Sequence, residues 1–466
     1  MPNPVRILLF GAGNRGADAY GRYALKHPNQ VKFVAVAEPH PERRLQFAKA
    51  HHISPDFQFD DWHAALQAEK MADAVINATP DEVHHNATIA ALHAGYDILL
   101  EKPIATTLNE TQHIVKEAQQ AKRLLMVCHV LRYTDFFQKV KAIFDSGQLG
   151  QIVHIAHSEN VSYFHMAHSY VRGNWRTIAE SAPMIVAKCC HDLDLLYWFT
   201  GERANRLSSM GDLRHFTAEN APPGAPARCT DGCPAAETCP FYAPRIYLES
   251  YQIKAAVARS DNPLFRSFGR LTLAQPRLAD ALAALIPPLR ALTRYTGWPR
   301  STITAFPGDD SAILDALQTG PYGRCVYHCD NDVVDHQVVN LQYPSGIIAT
   351  LTMHGHSHEE GRTLRIDGSR ATLLGKFSYS QAWLEVHLHG PGQIERFRFA
   401  TVVDNGAGHG GGDEGVMRAF VQALRGTSPP LTDAQDALES HLLGFAAEAA
   451  RLGNKTVDLE HFRRSI

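Results

Sequence analysis

The stretch Val5-Arg6-Ile7-Leu8-Leu9-Phe10-Gly11-Ala12-Gly13-Asn14-Arg15-Gly16 decides the fold of this chain. Its first half has the length and apolar character of a buried β-strand, and its second half is a G-x-G-x-x-G turn that opens a proline-free, helical segment. Gly11 permits the tight turn, Gly13 lets the backbone approach a pyrophosphate, and Gly16 lets the helix pack close to the strand. Strand, turn and helix in this order predict a dinucleotide site, with the N–H groups of the helix N-terminus facing the phosphates.

A carboxylate after the second predicted strand indicates which dinucleotide binds. Glu38 follows the strand Val31–Ala37 and lies roughly 20 residues beyond the glycine turn, where an acid accepts hydrogen bonds from the ribose hydroxyls of NAD. The same charge would repel the 2′-phosphate of NADP. Arg43 and Arg44 would favour NADP, but they fall in the next predicted helix. We therefore predict NAD as the cofactor, with NADP as the less favoured alternative.

Strands and helices alternate over the first 130 residues. Buried strands are predicted at residues 72–79, 96–100 and 124–127, and helices at 41–51, 82–94 and 107–122. This alternation is typical of a doubly wound parallel α/β sheet, which binds its ligand beyond the carboxyl ends of the strands. Gly11, Thr79 and Lys102 all fall at such strand ends. Residues 1–130 are thus predicted to form a Rossmann domain.

The pattern changes from residue 131 onward. Segments 152–158 and 335–354 look antiparallel, the latter with a hairpin turn at 343–346, and strands at 362–366, 371–374 and 383–389 continue the meander. We predict an α+β domain over residues 131–466 with an open, largely antiparallel sheet, closed by helices at 413–425 and 434–452. A Pro- and Ala-rich insertion at about 215–310 is predicted to be an accessory lobe or an oligomer contact.

The composition restricts the partners. Lys plus Arg number 45 and Asp plus Glu 48, a net charge of -3, so neither nucleic acid nor an anionic membrane is expected as the main partner. No stretch reaches the ~20 apolar residues of a membrane span, and the first residues do not resemble a leader peptide. We expect a cytoplasmic protein that acts on a small molecule and, because open sheets often pair, forms a homo-oligomer.

The eight cysteines are expected to be thiols or ligands rather than a disulfide framework. Cys229, Cys233 and Cys239 follow a C-x3-C-x5-C spacing, and Cys325 and Cys329 form a second close pair. Thiolates so spaced could ligate zinc or an iron–sulfur cluster outside the catalytic cleft. The spacing lacks the usual C-x2-C pairs, so we favour free thiols and predict no metal at the catalytic site.

Two segments carry candidate proton-transfer groups. Lys102 lies at a strand end and could exchange a proton with a substrate hydroxyl; the alternative is a solvated loop lysine. Within residues 181–198, a helix would place Lys188, His191 and Asp192 on one side, with His191 as the proton acceptor. The alternative there is a helix start with ordinary surface charges.

Further polar residues could hydrogen-bond substrate hydroxyls. Arg132 and Tyr133 directly follow the last predicted Rossmann strand, and Asn160, Tyr163 and His165 lie in the second predicted domain. Each is individually more typical of packing or surface positions.

Four motifs occur in a fixed order: the glycine turn, Thr79-Pro80-Asp81-Glu82-Val83-His84, Glu101-Lys102-Pro103 and His191-Asp192-Leu193-Asp194. In this order and spacing the chain resembles the Gfo/Idh/MocA family of oxidoreductases, closely over roughly its first 200 residues and loosely over the C-terminal sheet. The resemblance implies a nicotinamide cofactor and a sugar, cyclitol or related polyol as substrate. It implies that Lys102 and His191 are catalytic. The cofactor contacts that it implies are Asn14, Arg15, Thr79, Pro80, His84, Glu101, Lys102, Trp175 and Arg176.

One position departs from the family pattern. Family dehydrogenases often carry an aspartate four residues before the histidine, where this chain has Ala187 followed by Lys188. The proton relay must differ, and Lys188, Asp192 or Asp194 are candidate substitutes.

We predict an NAD(P)-dependent oxidoreductase that transfers a hydride between the cofactor and a polyol held by Lys102, Arg132, Tyr133, Lys188 and His191. The first alternative is an NAD-dependent glycosidase that oxidises a sugar transiently, eliminates the aglycone and reduces the ring again. The second is a non-catalytic dinucleotide-binding protein, against which the intact lysine and histidine argue.

Overall fold

The computed structural model describes residues 3–260, 262–390, 392–401 and 408–465. The chain forms two compact units: Met1–Lys141, Ser181–Leu207 and Gly411–Ile466 make the first, and Ala142–Glu180 with Ser208–Gly410 make the second. Packing thus groups residues 181–207 and the C-terminal helices with the N-terminal residues. The sequence-based division at residue 130 assigns both segments to the other domain.

The first unit contains a six-stranded parallel sheet in the order β3-β2-β1-β4-β5-β6. Its strands are β1 (Val5–Phe10), β2 (Val31–Ala37), β3 (Gln58–Phe59), β4 (Ala74–Asn77), β5 (Asp97–Leu100) and β6 (Leu125–Val127). This is the order of a doubly wound dinucleotide-binding sheet. The strand order reverses between β1 and β4, and such sheets bind their ligand at that point. The predicted Rossmann fold is confirmed.

Helices cover both faces of this sheet. The helical segments of the first unit are Asn14–Gly21 (π-helical), Arg22–Lys26, Pro41–His51, Pro55–Phe57 (3-10), Trp62–Gln67, Asp81–Val83 (3-10), His84–His93, Leu108–Ala121, Val130–Tyr133 (3-10), Asp135–Asp145 (which begins in this unit), Met184–Ala187, Cys190–Thr200, Gly412–Leu424, Ala434–Gly453 and Leu459–Arg464. Local signals set several boundaries. At one of them, Thr107 accepts a hydrogen bond from the backbone N–H of Glu110 and donates its hydroxyl to the Glu110 carboxylate, so it caps Leu108–Ala121.

Two hydrophobic clusters explain why four consecutive residues of β1, Ile7 to Phe10, are all apolar. Ile7 and Leu9 belong to one cluster and Leu8 and Phe10 to the other, so successive side chains pack on opposite faces of the sheet. The helix Gly412–Leu424 contributes to the first cluster and the start of Ala434–Gly453 to the second. The C-terminal helices therefore complete the core of the Rossmann sheet.

The second unit contains a mixed, largely antiparallel sheet. Its strands β7 (Ile152–Ser162), β8 (Arg206–Asp212), β9 (His336–Gln342), β10 (Ile348–Ser357), β11 (Gly361–Gly368), β12 (Ala371–Ser378), β13 (Ala382–Leu388) and β14 (Ile394–Arg398) run in the order β14-β13-β12-β11-β7-β10-β9-β8. The predicted hairpin is present as β9 and β10, but β10 pairs with β7 in parallel, where we expected an antiparallel arrangement. In the first unit, β15 (Val457–Asp458) pairs antiparallel with Arg206 and Leu207.

Short helices make up most of the insertion. Helical segments of the second unit are Tyr163–His165, Met166–Arg172 (π-helical), Ala218–Asn220 (3-10), Ala243–Tyr247, Tyr251–Val257, Pro263–Ala274, Pro276–Leu285, Pro287–Thr293, Arg300–Ile303, Asp310–Thr319, Pro321–Gly323 (3-10) and Gly408–Gly411 (3-10). The Ala- and Leu-rich part of the insertion forms two helices, Pro276–Leu285 and Pro287–Thr293, because Pro287 starts a new one. None of the helices in the described residues is both long and apolar enough for a bilayer crossing.

Candidate cofactor and proton-transfer site

The three glycines of the turn differ in whether the fold leaves room for a side chain. Gly11 has a φ of +84°, and a Cβ there would lie 2.5 Å from the carbonyl oxygen of Ala78. A Cβ on Gly16 would overlap the carbonyl oxygen of Gly11. A Cβ on Gly13 would meet no protein atom within 4 Å. The fold itself requires glycine at positions 11 and 16. The open space at Gly13 instead fits the approach of a pyrophosphate to the backbone.

Glu38 is held against the glycine turn. Its carboxylate is buried and accepts hydrogen bonds from the backbone N–H groups of Ala12, at 2.7 Å, and of His40, at 2.9 Å. A carboxylate has about four acceptor positions, so it can still accept ribose hydroxyls. Arg44 donates to the Glu38 carbonyl oxygen and pairs with Asp60, so its charge is already compensated by protein groups. The arrangement suits NAD.

The ends of β4 and β5 are joined through a buried histidine. One ring nitrogen of His84 lies 3.0 Å from the carbonyl oxygen of Thr79 and the other lies 2.7 Å from that of Pro103. The Thr79 hydroxyl donates to the side-chain oxygen of Asn77 at 2.7 Å. His84 therefore fixes the Thr79-Pro80 loop beside the loop that carries Lys102.

An ion-pair network ties the glycine turn to the Glu-Lys-Pro loop. Arg15 donates to the carboxylate of Glu101 at 2.6 Å and to that of Asp413 at 2.7 Å. The Tyr20 hydroxyl also bonds Glu101. Burial opposes the charge on Glu101, but Arg15 and Lys102 outweigh it and hold the pKa of this carboxyl below its ordinary value. Sequence reasoning missed Asp413, because it lies in a C-terminal helix without a local motif.

Lys102 contacts the segment that carries His191. Its ammonium group donates to the carbonyl oxygen of Ala187 at 3.1 Å, at the position where related dehydrogenases often carry an aspartate. The helix expected over this segment is interrupted. Met184–Ala187 ends before Lys188 and a new helix begins at Cys190, so Lys188, His191 and Asp192 do not lie on one continuous helix as predicted. A backbone carbonyl thus contacts the lysine.

A second histidine lies behind His191. The Nδ1 atoms of His129 and His191 are 3.4 Å apart, and both rings are buried. Burial, followed by the positive charges of Arg132 and Lys102, holds the pKa of His129 well below its ordinary value, so this ring is neutral. Sequence reasoning missed His129, although it follows β6 at a strand carboxyl end, where functional residues of such sheets concentrate.

Arg132 and Tyr133 are engaged with protein groups. The Arg132 guanidinium donates to both carboxylate oxygens of Asp194, at 2.7 and 2.6 Å, and to the carbonyl oxygen of Leu431 at 2.8 Å. The Tyr133 hydroxyl lies 3.0 Å from the hydroxyl of Thr432. These contacts give both residues a structural role, and they commit Asp194 to Arg132 rather than to a relay. Substrate binding by Arg132 and Tyr133 stays a prediction.

Trp175 and Arg176 lie in the second unit. Arg176 pairs with Glu180 at 2.7 Å and with Asp330 at 3.2 Å, and the Trp175 ring centroid is 6.0 Å from that of Tyr170. Their role at the nicotinamide stays a prediction. The same holds for substrate binding by Lys188, which is half-buried.

The cysteines of the insertion are free thiols around a buried arginine. Arg172 donates to the sulfur of Cys229 at 3.5 Å, and burial raises the pKa of the Cys239 and Cys325 thiols. Across the described ranges, the structure contains no group of three or more His, Cys, Asp or Glu residues arranged to hold a metal ion.

Matches to models of protein families show the class of protein to which this chain belongs. Residues 5–129 match the NAD-binding Rossmann fold of an oxidoreductase family, residues 137–230 match a GFO/IDH/MocA C-terminal domain, and residues 308–459 match the C-terminal alpha/beta domain of the same oxidoreductases. The chain belongs to the Gfo/Idh/MocA family of oxidoreductases. The predicted family and NAD-binding domain are confirmed.

Individual relatives are distant. The oxidoreductase YteT of Bacillus subtilis is 22% identical over 87% of this chain and 86% of its own length. An inositol 2-dehydrogenase of Streptomyces avermitilis is 28% identical over 48% of this chain, which spans 60% of that relative. The crystal structure of an Agrobacterium radiobacter oxidoreductase, in complex with NAD+, L-tartaric acid and magnesium, covers 98% of this chain and 99% of its own with a TM-score of 0.65 and 15% identity. At that identity the likeness concerns the fold alone.

Proposed function

We propose that the protein is an NAD-dependent dehydrogenase of a sugar, a cyclitol or a related polyol. The observation that carries the proposal is the contact of Lys102 with Ala187, which brings a lysine at the end of β5 to the segment of His191. Inositol 2-dehydrogenases among the relatives support a polyol substrate.

Proton transfer falls to this chain's own residues. The cofactor, when bound, supplies the hydride acceptor at C4 of its nicotinamide. Lys102 orients the substrate hydroxyl that loses its proton, and His191 accepts that proton. Glu101, anchored by Arg15, holds the loop of Lys102 beside the glycine turn, so Lys102 and the cofactor loop have fixed relative positions.

The remaining predicted residues act around this centre. We assign Trp175 and Arg176 to the nicotinamide, and Lys188, Arg132 and Tyr133 to the polyol or its immediate support. The protein acts as a cytoplasmic homo-oligomer that uses the open face of its second sheet. Light scattering of the purified protein tests that oligomeric state, and a monomer at all concentrations would contradict it.

The test of function is a substrate panel. Purified protein is mixed with NAD and with sugars, cyclitols and aryl glycosides, and the absorbance of reduced nicotinamide and of released aglycone is recorded in parallel. NADH formed with a polyol is expected. NAD-dependent aglycone release without net NADH would instead identify a glycosidase.

A pair of lysine variants makes the test specific. Lys102→Ala should lower kcat by roughly 10²- to 10⁴-fold while NAD still binds, because only proton handling is lost. Lys116→Ala, an exposed lysine on the helix Leu108–Ala121, serves as the matched control and should keep full activity. Retained turnover in Lys102→Ala would remove this lysine from the mechanism.

A further inference from the structure

We propose that His129 and Ser440 position the proposed base His191, fixing its proton on Nδ1 and presenting Nε2 as the proton acceptor. The inference rests on the proposed function and names the group that takes the place of the aspartate missing at residue 187. His129 follows β6, and Ser440 lies on the helix Ala434–Gly453. Both are fully buried, so every proton in this network needs a protein partner.

The position of the Ser440 hydroxyl proton follows from its contacts. Its hydroxyl donates to the carbonyl oxygen of Ala437 at 2.8 Å. The neighbouring His441 does not accept the hydroxyl proton of Ser440. Its Nε2 accepts the backbone N–H of Ile104 at 2.9 Å, so the proton of this neutral ring is on Nδ1, which lies 2.8 Å from the same Ala437 oxygen. The Ser440 oxygen is therefore an acceptor toward its other neighbours.

His129 faces that acceptor. Its Nε2 lies 3.3 Å from the Ser440 oxygen and 4.0 Å from a carboxylate oxygen of Asp194, so both groups in front of Nε2 accept. Nε2 consequently carries the single proton of the neutral His129 ring. Its Nδ1 then carries the lone pair of the ring, and this atom faces Nδ1 of His191.

The contact with His129 determines which ring nitrogen of His191 carries a proton. With an acceptor at 3.4 Å from its Nδ1, the proton between the two rings belongs to His191, and Nε2 is then the atom that takes the proton of the substrate. When the substrate hydroxyl is oxidised, its proton passes to Nε2 and the Nδ1–H bond to His129 holds the imidazolium in place. The contact is long, as catalytic hydrogen bonds often are before the substrate binds. His129 is a positioning residue because it acts through His191.

The proton position can be measured without turnover. Nitrogen-15 NMR of histidine-labelled full-length protein, compared with His191→Gln to identify the His191 signals, should show a protonated Nδ1 and an unprotonated Nε2 at neutral pH. In His129→Ala the fixed tautomer should be lost. A proton on Nε2 of His191 in the wild-type protein would overturn the inference, whether or not the enzyme turns over a polyol.

Kinetics test the consequence. His129→Ala should lower kcat by about 10- to 100-fold, the range for residues that orient a functional group through its neighbour, while KM and NAD affinity stay within about twofold. His129→Asn, whose side-chain oxygen can accept the Nδ1–H of His191, should recover most of the loss. His93→Ala, an exposed histidine of the same unit, is the control. Unchanged kcat in His129→Ala, or no recovery in a folded His129→Asn, would refute positioning. Absence of any NADH from the wild-type protein would refute the proposed function instead, while leaving the NMR result to decide the tautomer.

Discussion

Removal of one charge from the buried Arg132–Asp194 pair is expected to destabilise the first unit strongly. Both side chains are almost inaccessible, with 1% of each residue exposed, and two short hydrogen bonds join them. Asp194→Asn leaves a buried guanidinium with the Leu431 carbonyl and, at 3.4 Å, the half-exposed Asp436. A buried charge that loses its partner costs about 3 to 5 kcal/mol, and Asp436 should keep the loss near the lower value.

The matched variant replaces both charges. In Arg132→Met with Asp194→Leu, apolar side chains of similar volume fill the site, so the double variant should be more stable than either single one. Glu460→Gln breaks an exposed pair with Arg464 and should cost less than about 1 kcal/mol.

Urea unfolding followed by circular dichroism is measured for the wild-type protein, Asp194→Asn, the double variant, its two single variants Arg132→Met and Asp194→Leu, and Glu460→Gln. A loss below about 1 kcal/mol for Asp194→Asn, or a double variant as unstable as the sum of its singles, would refute the reasoning.

The remaining predictions concern the cofactor loop and the buried histidines. Gly13→Ala should weaken NAD binding, measured by calorimetry, at least about tenfold without moving the unfolding midpoint, because the added Cβ meets no protein atom. Gly16→Ala should lower the unfolding midpoint, because its Cβ overlaps the carbonyl oxygen of Gly11. Equal effects of the two changes on stability would contradict these roles. Glu38→Ala should reduce the preference for NAD over NADP, since the charge that repels a 2′-phosphate is removed, and an unchanged affinity ratio would count against Glu38. Burial holds the pKa of His441 at about 3 in the folded protein, so the unfolded chain gains a proton that the folded one does not as the pH falls from 6.5 to 3. This contribution is zero above pH 6.5 and destabilises by at most ~5 kcal/mol below pH 3, and His441→Gln should flatten that part of the stability profile. An identical profile would show that folding does not lower the pKa of His441.

The Rossmann half of the fold could be predicted from the sequence because its signals are local. Residues 7–10 of β1 are all apolar, because Ile7 and Leu8 enter different hydrophobic clusters. Within the turn itself, Gly11 is required by its positive φ and Gly16 by its contact with the carbonyl oxygen of Gly11. The capping interaction of Thr107 with Glu110 is equally visible in four consecutive residues.

Pairings across long sequence distances could not be predicted in this way. Arg15 binds Asp413, which is 398 residues away, and no local pattern marks that aspartate as its partner. The parallel pairing of β10 with β7 could not be predicted, because parallel neighbours are not joined by a tight turn that the sequence would reveal. The interruption after Ala187 also lacks a Gly or Pro to mark it.

The candidate site was predicted in part. Lys102 and His191 follow from motifs, and the structure places Lys102 in contact with the segment of His191. The partner of His191 did not follow, since His129 was not considered, although its position after β6 is a usable signal. Substitutes for the missing aspartate were sought only near His191 in sequence, whereas His129, whose Nδ1 lies 3.4 Å from that of His191, comes from a strand end of the Rossmann sheet.

The central claim is that a polyol gives its carbinol hydrogen to NAD in a site built on Lys102 and His191. The most direct test supplies a cyclitol or sugar alcohol with deuterium on its carbinol carbons and determines by NMR where the deuterium goes. We predict deuterium at C4 of the nicotinamide in NADH formed by the wild-type protein, and almost none with Lys102→Ala. NADH that lacks deuterium, or undiminished transfer in the variant, would contradict the account.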